Sequence, residues 1–148
     1  MAPRRTWLAV VLAAALLTAC GNGVLPWGAD GDPPVLAGTW QLMEGSGPDG
    51  EVDLVDGHPI TLEIDGAQWR GTAACNDYSA TATLDGDALE LTQLLWTEMA
   101  CHPPEVMESE SAYLAALRTV DTLAYEDGEL TLTGPGTQLT FRRTETPA

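Results

Sequence analysis

Lysine is absent from this 148-residue chain, and positive charge of any kind is scarce. Six arginines stand against 22 acidic residues, which gives a formal net charge of −16 at pH 7. A protein surface of this sign repels phosphate backbones and anionic lipid headgroups. We therefore exclude nucleic-acid binding and membrane docking through basic residues.

Histidine is almost as rare, and the familiar catalytic motifs are missing. His58 and His102 are the only histidines, and neither lies in a nucleophile or zinc motif. The chain has no G-x-S-x-G, no H-E-x-x-H and no phosphate-binding glycine loop. Two Asp-Gly-Asp stretches suggest calcium, but neither continues into an EF-hand loop. We predict no catalytic residues, no metal and no cofactor, and we expect a protein that is not an enzyme.

The only long apolar run lies at the N-terminus, and it is too short to span a bilayer as a helix. Arg4 and Arg5 precede an apolar stretch at 7–17, as in a secretory leader, and L-T-A-C at 17–20 resembles the lipobox of bacterial lipoproteins. This pattern predicts a signal peptide at 1–19 and a diacylglyceryl group on Cys20, which would anchor the protein on the extracytoplasmic face of a membrane. The alternative is an ordinary cleaved leader with an incidental cysteine.

The remaining chain divides into a tether, one domain and a short tail. Residues 20–35 mix Gly, Pro and Asp with little periodicity and are typical of a flexible linker. Trp27 is the exception in that linker, and it fits either a membrane contact or a contact with the domain. Residues 36–143 suffice for one modest core, and 144–148 form the tail.

Past the predicted lipidation site only two cysteines remain, Cys75 and Cys101. An even pair in an oxidising compartment predicts a disulfide. The alternative is a redox or metal pair with His102, which no C-x-x-C spacing supports.

Alternating apolar and polar residues dominate the domain. They predict about eight strands, at 38–43, 60–64, 67–71, 80–84, 88–95, 123–125, 129–133 and 138–143. Asp-Gly pairs at 65–66, 85–86 and 127–128 separate three pairs of these strands and predict type I′ hairpin turns.

One segment breaks the alternation. Residues 105–120 lack turn residues and place Val106, Tyr113, Leu114, Leu117 and Val120 on a single helical stripe. The predicted fold is therefore α+β: about eight mostly antiparallel strands in a curled sheet or open β-barrel, with one helix between the fifth and sixth strands.

Four groups of residues occur in an order and spacing that is known from one family. They are G-T-W-Q-L at 38–42, G-T-A-A-C-N-D-Y at 71–78, T-E-M-A-C at 97–101 with E-S-A-Y-L-A-A-L at 110–117, and the closing L-T-L and L-T-F at 130–132 and 139–141. Together they resemble the META domain family, the family of the bacterial heat-shock protein HslJ. The resemblance implies a β-rich domain with one helix, often secreted or lipid-anchored, linked to stress tolerance and without an established reaction.

The motif residues have structural and functional interpretations. Asn76 and Asp77 suit a turn, although an Asn76 amide also suits a ligand contact. Met99 alternates with Glu98 and is expected in the core. Trp40, Trp69 and Trp96 are expected core anchors, and they become ligand contacts if they line a cavity.

Two functions are compatible with this sequence. The first is an extracytoplasmic, non-enzymatic domain that supports envelope stress tolerance through a protein partner. The second is a small lipocalin-like binder whose tryptophans surround an acyl chain or another apolar molecule.

Overall fold

A computed structural model describes residues 35–144 of the chain. The predicted leader, the predicted lipidation site Cys20, Trp27 and the last four residues lie outside the described residues. Within the described range the chain forms nine strands and one helix. In chain order they are β1 (Gly38–Gly47), β2 (Gly50–Glu51), β3 (Thr61–Asp65), β4 (Gln68–Ala73), β5 (Asn76–Asp85), β6 (Ala88–Trp96), α1 (Pro104–Leu117), β7 (Thr122–Glu126), β8 (Glu129–Gly134) and β9 (Thr137–Arg143).

Eight of these strands close into an antiparallel barrel. Their order is β1-β3-β4-β5-β6-β7-β8-β9, and β9 pairs back onto β1. The remaining strand, β2, is two residues long and extends only the far end of β1. The predicted α+β barrel is confirmed, and α1 follows the fifth barrel strand as predicted.

The Asp-Gly hairpins form where the sequence predicts them, but with two turn types. Asp127 and Gly128 have φ values of 51° and 84°, as a type I′ turn requires. At the other two turns only Gly66 and Gly86 have positive φ, which is the type II′ pattern. There the aspartate is the last residue of its strand, and glycine takes the first central position.

The helix begins at Pro104, which needs no hydrogen-bond partner for its nitrogen at this position. It packs against β1, β4 and β9. The pairing of β6 with β7 is limited to Ala88 and Thr122. Beyond that pair, β6 has no strand neighbour on its β7 side within the described range. The helix therefore lies in the chain between the two barrel strands that share the fewest residue pairs.

The core fills the inside of the barrel. Alternate strand residues and the apolar stripe of α1 meet there, which confirms the predicted positions of the stripe. The largest side chains in the core are almost completely inaccessible to solvent: Trp40, Trp69, Tyr113, Phe141, Leu42, Leu62, Ile64, Leu130 and Leu132. Burial of this apolar surface is the main source of stability for a domain of this size.

Candidate functional site

The Cys75–Cys101 disulfide is present, with 6.0 Å between the two Cα atoms. It connects the turn between β4 and β5 to the segment that leads into α1. Asn76 follows Cys75 directly, and it is the first residue of β5 and not a turn residue. The covalent bridge therefore holds the helix entrance against the start of a central strand.

The Asn76 side chain is 1% exposed, and every hydrogen-bonding position of its amide is occupied. Its Nδ2 donates to the Met99 carbonyl at 3.0 Å and to Glu110 Oε1 at 2.8 Å. Its Oδ1 accepts from the Thr97 hydroxyl at 2.8 Å and from the Met99 N–H at 2.6 Å. No donor or acceptor of this amide is left for a ligand, so we assign it a structural role.

Glu110 completes this buried polar junction, which we define as Cys75, Asn76, Thr97, Met99 and Glu110. Its carboxylate is on a residue that is only 4% exposed, and it accepts from the Cys75 N–H at 3.2 Å and the Asn76 N–H at 2.6 Å. The sequence analysis did not predict that Glu110 is buried and accepts these hydrogen bonds. The spacing indicates its burial, because Glu110 lies four residues after Val106 and three before Tyr113, on the apolar stripe of α1.

Gly71 and Tyr78 are cross-strand partners on β4 and β5. A Cβ atom at Gly71 would collide with the Thr61 carbonyl and lie 2.9 Å from the Tyr78 hydroxyl. Glycine at position 71 therefore leaves space for the Tyr78 hydroxyl next to the Thr61 carbonyl. The Tyr78 hydroxyl donates to the Thr61 carbonyl at 2.7 Å. Its one proton is thus used, so Tyr113 donates the 2.7 Å hydrogen bond between the two hydroxyls.

Burial raises the pKa of both tyrosines, because the charged phenolate loses its hydration inside the core. For Tyr78 the neighbouring Tyr113 raises the pKa further. Both hydroxyls are therefore neutral at physiological pH, and they act as hydrogen-bonding groups of the core.

A broad groove lies on the outside of the barrel, across β1, β3, β4, β5 and β6. Its volume is about 630 Å³, and it opens widely to solvent. Most of its lining consists of hydroxyl, charged and aromatic side chains: Thr39, Thr61, Glu63, Arg70, Thr72, Asp77, Tyr78, Ser79, Trp96 and Thr97. Leu95 also lines it and is 67% exposed, the highest value among the large apolar residues that are exposed.

The charged side chains Glu63, Arg70 and Asp77 of this groove are hydrogen-bonded to neighbouring side chains. Arg70 donates to both carboxylate oxygens of Glu63, at 3.1 and 2.7 Å. This hydrogen bonding lowers the pKa of Glu63 and raises that of Arg70. The Thr72 hydroxyl donates to Asp77 at 2.9 Å. Asp77 lies in β5 and not in a turn, so the prediction of a turn there is wrong: strand β5 begins four residues earlier than predicted.

The three predicted tryptophans have different environments. Trp40 is fully buried, donates from its ring N–H to the Leu36 carbonyl at 2.9 Å, and has the Arg143 guanidinium 4.4 Å above its ring. Trp69 is 1% exposed and belongs to the core. Only Trp96 lines the groove, partly buried, with Arg118 at 4.5 Å over its ring.

Met99 is 59% exposed, so the prediction that it lies in the core is wrong. Strand β6 ends at Trp96, and alternation no longer determines which side chains point inward beyond that residue. The position of Met99 is determined instead by its backbone, which hydrogen-bonds through both its N–H and its carbonyl to Asn76.

Residues 35–144 also lack two features, a metal-binding cluster and a membrane-spanning helix. No three His, Cys, Asp or Glu side chains of this range are placed to hold a metal ion. No helix in the same range is long and apolar enough to cross a bilayer.

Solved structures share this fold. An NMR structure of a protein from Burkholderia xenovorans matches with a TM-score of 0.62 at 24% identity, covering 97% of this chain and 99% of its own. A crystal structure of a DUF4847 family protein from Bacteroides vulgatus matches with a TM-score of 0.54 at 13% identity, covering 77% of this chain and 97% of its own. At these identities the likeness establishes the fold alone.

The sequence comparisons give a family but no curated relative. No protein of curated function shows significant similarity to this chain. The family model of the META domain matches residues 34–146, which includes every described strand and the helix. The residue groups in which the sequence resembles this family contain the disulfide, the buried polar junction and the tyrosine pair. The chain belongs to the META domain family.

Proposed function

We propose that this META domain is a lipid-anchored, non-enzymatic protein of the extracytoplasmic membrane face, which supports envelope stress tolerance by binding a protein partner in the outer groove. The observation that carries the proposal is the groove itself, a wide surface with an exposed leucine beside Trp96 and Arg70. Tryptophan and arginine are among the residue types most enriched at protein interfaces.

The shape of the groove favours a polypeptide over a small molecule. Pockets for small ligands enclose most of the ligand surface, whereas this groove is open along its length. Exposed hydroxyl residues at Thr39 and Ser79 offer hydrogen bonds around the apolar contact at Leu95. An apolar centre with a polar rim is the usual composition of a protein interface.

The packed interior argues against the lipocalin-like alternative. Trp40 and Trp69, which that hypothesis places around an acyl chain, are core residues with 0% and 1% exposure. Phe141 and Tyr113 fill the same space from β9 and α1. Native mass spectrometry of the domain, isolated from cells as a Cys20→Ser variant or after proteolytic release from its anchor, should therefore give the mass of the polypeptide without a bound molecule. A co-purifying lipid at stoichiometric amount would favour the alternative.

Site-specific photo-crosslinking in cells tests the groove. A photoreactive amino acid at Leu95 should give one discrete adduct, whereas the same probe at Leu54, which is 50% exposed and outside the groove, should not. The substitution Ser79→Arg fills the groove from an exposed position, so it should abolish the adduct while leaving the fold intact. Equal adducts from both probes, or an adduct that survives Ser79→Arg, would contradict the proposal.

Anchoring and stress tolerance need separate tests. The variant Cys20→Ser should move the protein out of the membrane fraction or leave its leader uncleaved. Cells that lack the protein should grow poorly under envelope-directed stress. The wild-type chain should restore growth, and neither Cys20→Ser nor Ser79→Arg should do so. Restoration by Ser79→Arg would separate the stress function from the groove.

A further inference from the structure

A second depression, of about 350 Å³, lies at the entrance of α1, where the segment after β6 meets the first turn of the helix. We call it the methionine pocket. Its lining comprises residues 96–100, Met107 and two residues of the buried polar junction, Asn76 and Glu110. It adjoins the outer groove, with which it shares Trp96 and Thr97. Two of the four methionines of the chain thus line one depression.

The backbone that carries these two methionines is held in place by the domain. The Met99 N–H and carbonyl hydrogen-bond to the Asn76 side chain, at 2.6 and 3.0 Å. Two residues later, the disulfide joins Cys101 to Cys75. Met107 belongs to α1 itself. A ligand that binds between these two elements therefore has to order little of the chain, which favours binding.

Met107 directs its sulfur toward the segment before the helix. Its Sδ accepts a hydrogen bond from the Cys101 N–H, with 3.4 Å between the nitrogen and the sulfur. A thioether sulfur carries a second lone pair, which this hydrogen bond does not use. The sulfur is therefore fixed in position and can still donate electrons to another group.

Met99 brings a second thioether within reach of the same point. It precedes Cys101 by two residues, so its Cα lies less than about 7 Å from the Cys101 nitrogen. The long and flexible methionine side chain covers most of such a distance. Met99 is also 59% exposed, so the core does not enclose its sulfur. Both sulfurs can therefore contact one small ion in the pocket.

A pair of thioethers selects soft metal ions. Thioether sulfur is neutral and polarisable and suits Cu⁺, whereas Mg²⁺ and Ca²⁺ prefer oxygen ligands. Cys75 and Cys101 are joined in the disulfide, so the methionines are the sulfur donors that remain within residues 35–144. A methionine pair is compatible with the lack, in this range, of a metal-binding cluster of His, Cys, Asp and Glu.

The charge of the protein favours a cation at this place. The chain has a formal net charge of −16, and the exposed Glu98 lines the pocket. Arg118, which lies over the Trp96 ring, does not line it. A negative surface raises the local concentration of cations, and the sulfur ligands then determine which cation is retained.

We propose that the methionine pocket binds one soft monovalent metal ion, Cu⁺ or its analogue Ag⁺, through the thioethers of Met99 and Met107. The inference goes beyond the proposed function, because a metal ion and a protein partner are different classes of ligand. Neither methionine lines the outer groove, so variants of this pocket test the metal site separately from the groove.

Titration with Ag⁺ in chloride-free buffer tests the site, because this ion shares the ligand preference of Cu⁺ and needs no reductant. The chain is prepared as the Cys20→Ser variant, which removes the one cysteine outside the disulfide. Calorimetry should show one tightly bound ion that excess Ca²⁺ does not displace. In nuclear magnetic resonance spectra the ε-methyl signals of Met99 and Met107 should shift. The signal of Met43, which is 47% exposed on β1, should not.

Matched variants assign the binding to this pocket. Met99→Leu and Met107→Leu each remove a sulfur with little change in volume, and each should weaken the affinity for Ag⁺ on the order of tenfold or more. The control Met43→Leu removes an exposed sulfur outside the pocket and should change the affinity by less than about twofold. Titration with Cu⁺ without oxygen should rank the variants in the same order. Near-ultraviolet circular dichroism verifies the fold of each variant.

Four results would overturn the proposal. The first is that the protein binds no Ag⁺, or that neither pocket methyl signal shifts. The second is that Met43→Leu weakens binding as much as the pocket variants, which would make the binding unspecific. The third is that Ca²⁺ displaces Ag⁺, which would assign the binding to carboxylates. The fourth is that only one of the two pocket variants weakens binding, because the site would then not be a pair of thioethers.

Discussion

Ser109 and Glu110 are neighbours on α1, and both are buried, yet their surroundings are opposite. Glu110 accepts three hydrogen bonds, from Asn76 and the Cys75 N–H, inside the buried polar junction. Ser109 is 2% exposed, and its hydroxyl has no hydrogen-bond partner in the described structure. Both residues lie on the buried side of the helix between Val106 and Tyr113, so they differ in hydrogen bonding and not in exposure.

The difference separates two kinds of polar residue that look alike in a sequence. A polar side chain whose donors and acceptors are all used inside the domain stabilises the fold and has nothing left for a ligand. A buried polar side chain without a partner adds no hydrogen bond to the fold and still loses its hydration. The following experiments test this distinction, beginning with the largest expected effect.

The disulfide is the strongest element of the junction. Replacing both cysteines, Cys75→Ser with Cys101→Ser, opens a loop between residues 26 apart in sequence. Without the cross-link the unfolded chain gains conformational entropy. For this reason alone, the free energy of unfolding should fall by about 3.5 kcal/mol in urea denaturation. A loss below about 1 kcal/mol would mean that the hydrogen bonds hold the junction without the bridge.

Asn76→Ala should destabilise the fold almost as much as loss of the disulfide, because it leaves Glu110 and the Met99 backbone without the amide that they hydrogen-bond. We expect the free energy of unfolding to fall by about 3 kcal/mol. The control is Glu98→Ala, an exposed change in the same segment, which should stay within about 0.5 kcal/mol of the wild type. A small effect of Asn76→Ala would contradict its structural assignment and reopen a ligand role.

The tyrosine pair predicts a loss of stability at alkaline pH. Folding raises the pKa of Tyr78 and Tyr113 above the ordinary value of 10.0. Their stabilising contribution is therefore complete below the unfolded pKa and is lost as pH rises above it. The free energy of unfolding should fall by up to about 1.4 kcal/mol per pH unit for each tyrosine.

Urea denaturation across this pH range checks the slope, and the absence of lysine leaves few other groups that titrate there. Tyr113→Phe should roughly halve the slope. A stability that stays constant as the pH rises well beyond 10 would contradict the burial of the pair.

The alternation of the sequence was sufficient to predict the barrel. Each Asp-Gly pair and each alternating run lies in a hairpin, because a strand needs only local periodicity and a tight turn. The stripe from Val106 to Leu117 predicted the helix for the same reason. The closure of β9 onto β1 and the β6–β7 pair across the helix join segments that are far apart in sequence, so both required the structure.

The polar residues could not be assigned from the sequence in the same way. Asn76 and Glu110 are 34 residues apart, and neither residue type by itself predicts burial. Met99 was misplaced because alternation was extended past the end of β6. The groove combines residues from five strands, so its composition becomes visible only when the barrel is assembled.

Urea unfolding of Ser109→Ala beside Glu110→Gln tests the contrast between these two buried neighbours most directly. Glu110→Gln replaces one acceptor oxygen with a donor inside the junction and should cost about 2 kcal/mol. Ser109→Ala removes a buried, unpaired hydroxyl and should leave the free energy of unfolding unchanged or raise it by up to about 1 kcal/mol. A comparable loss in both variants would contradict the account, because it would show that Ser109 also serves the fold.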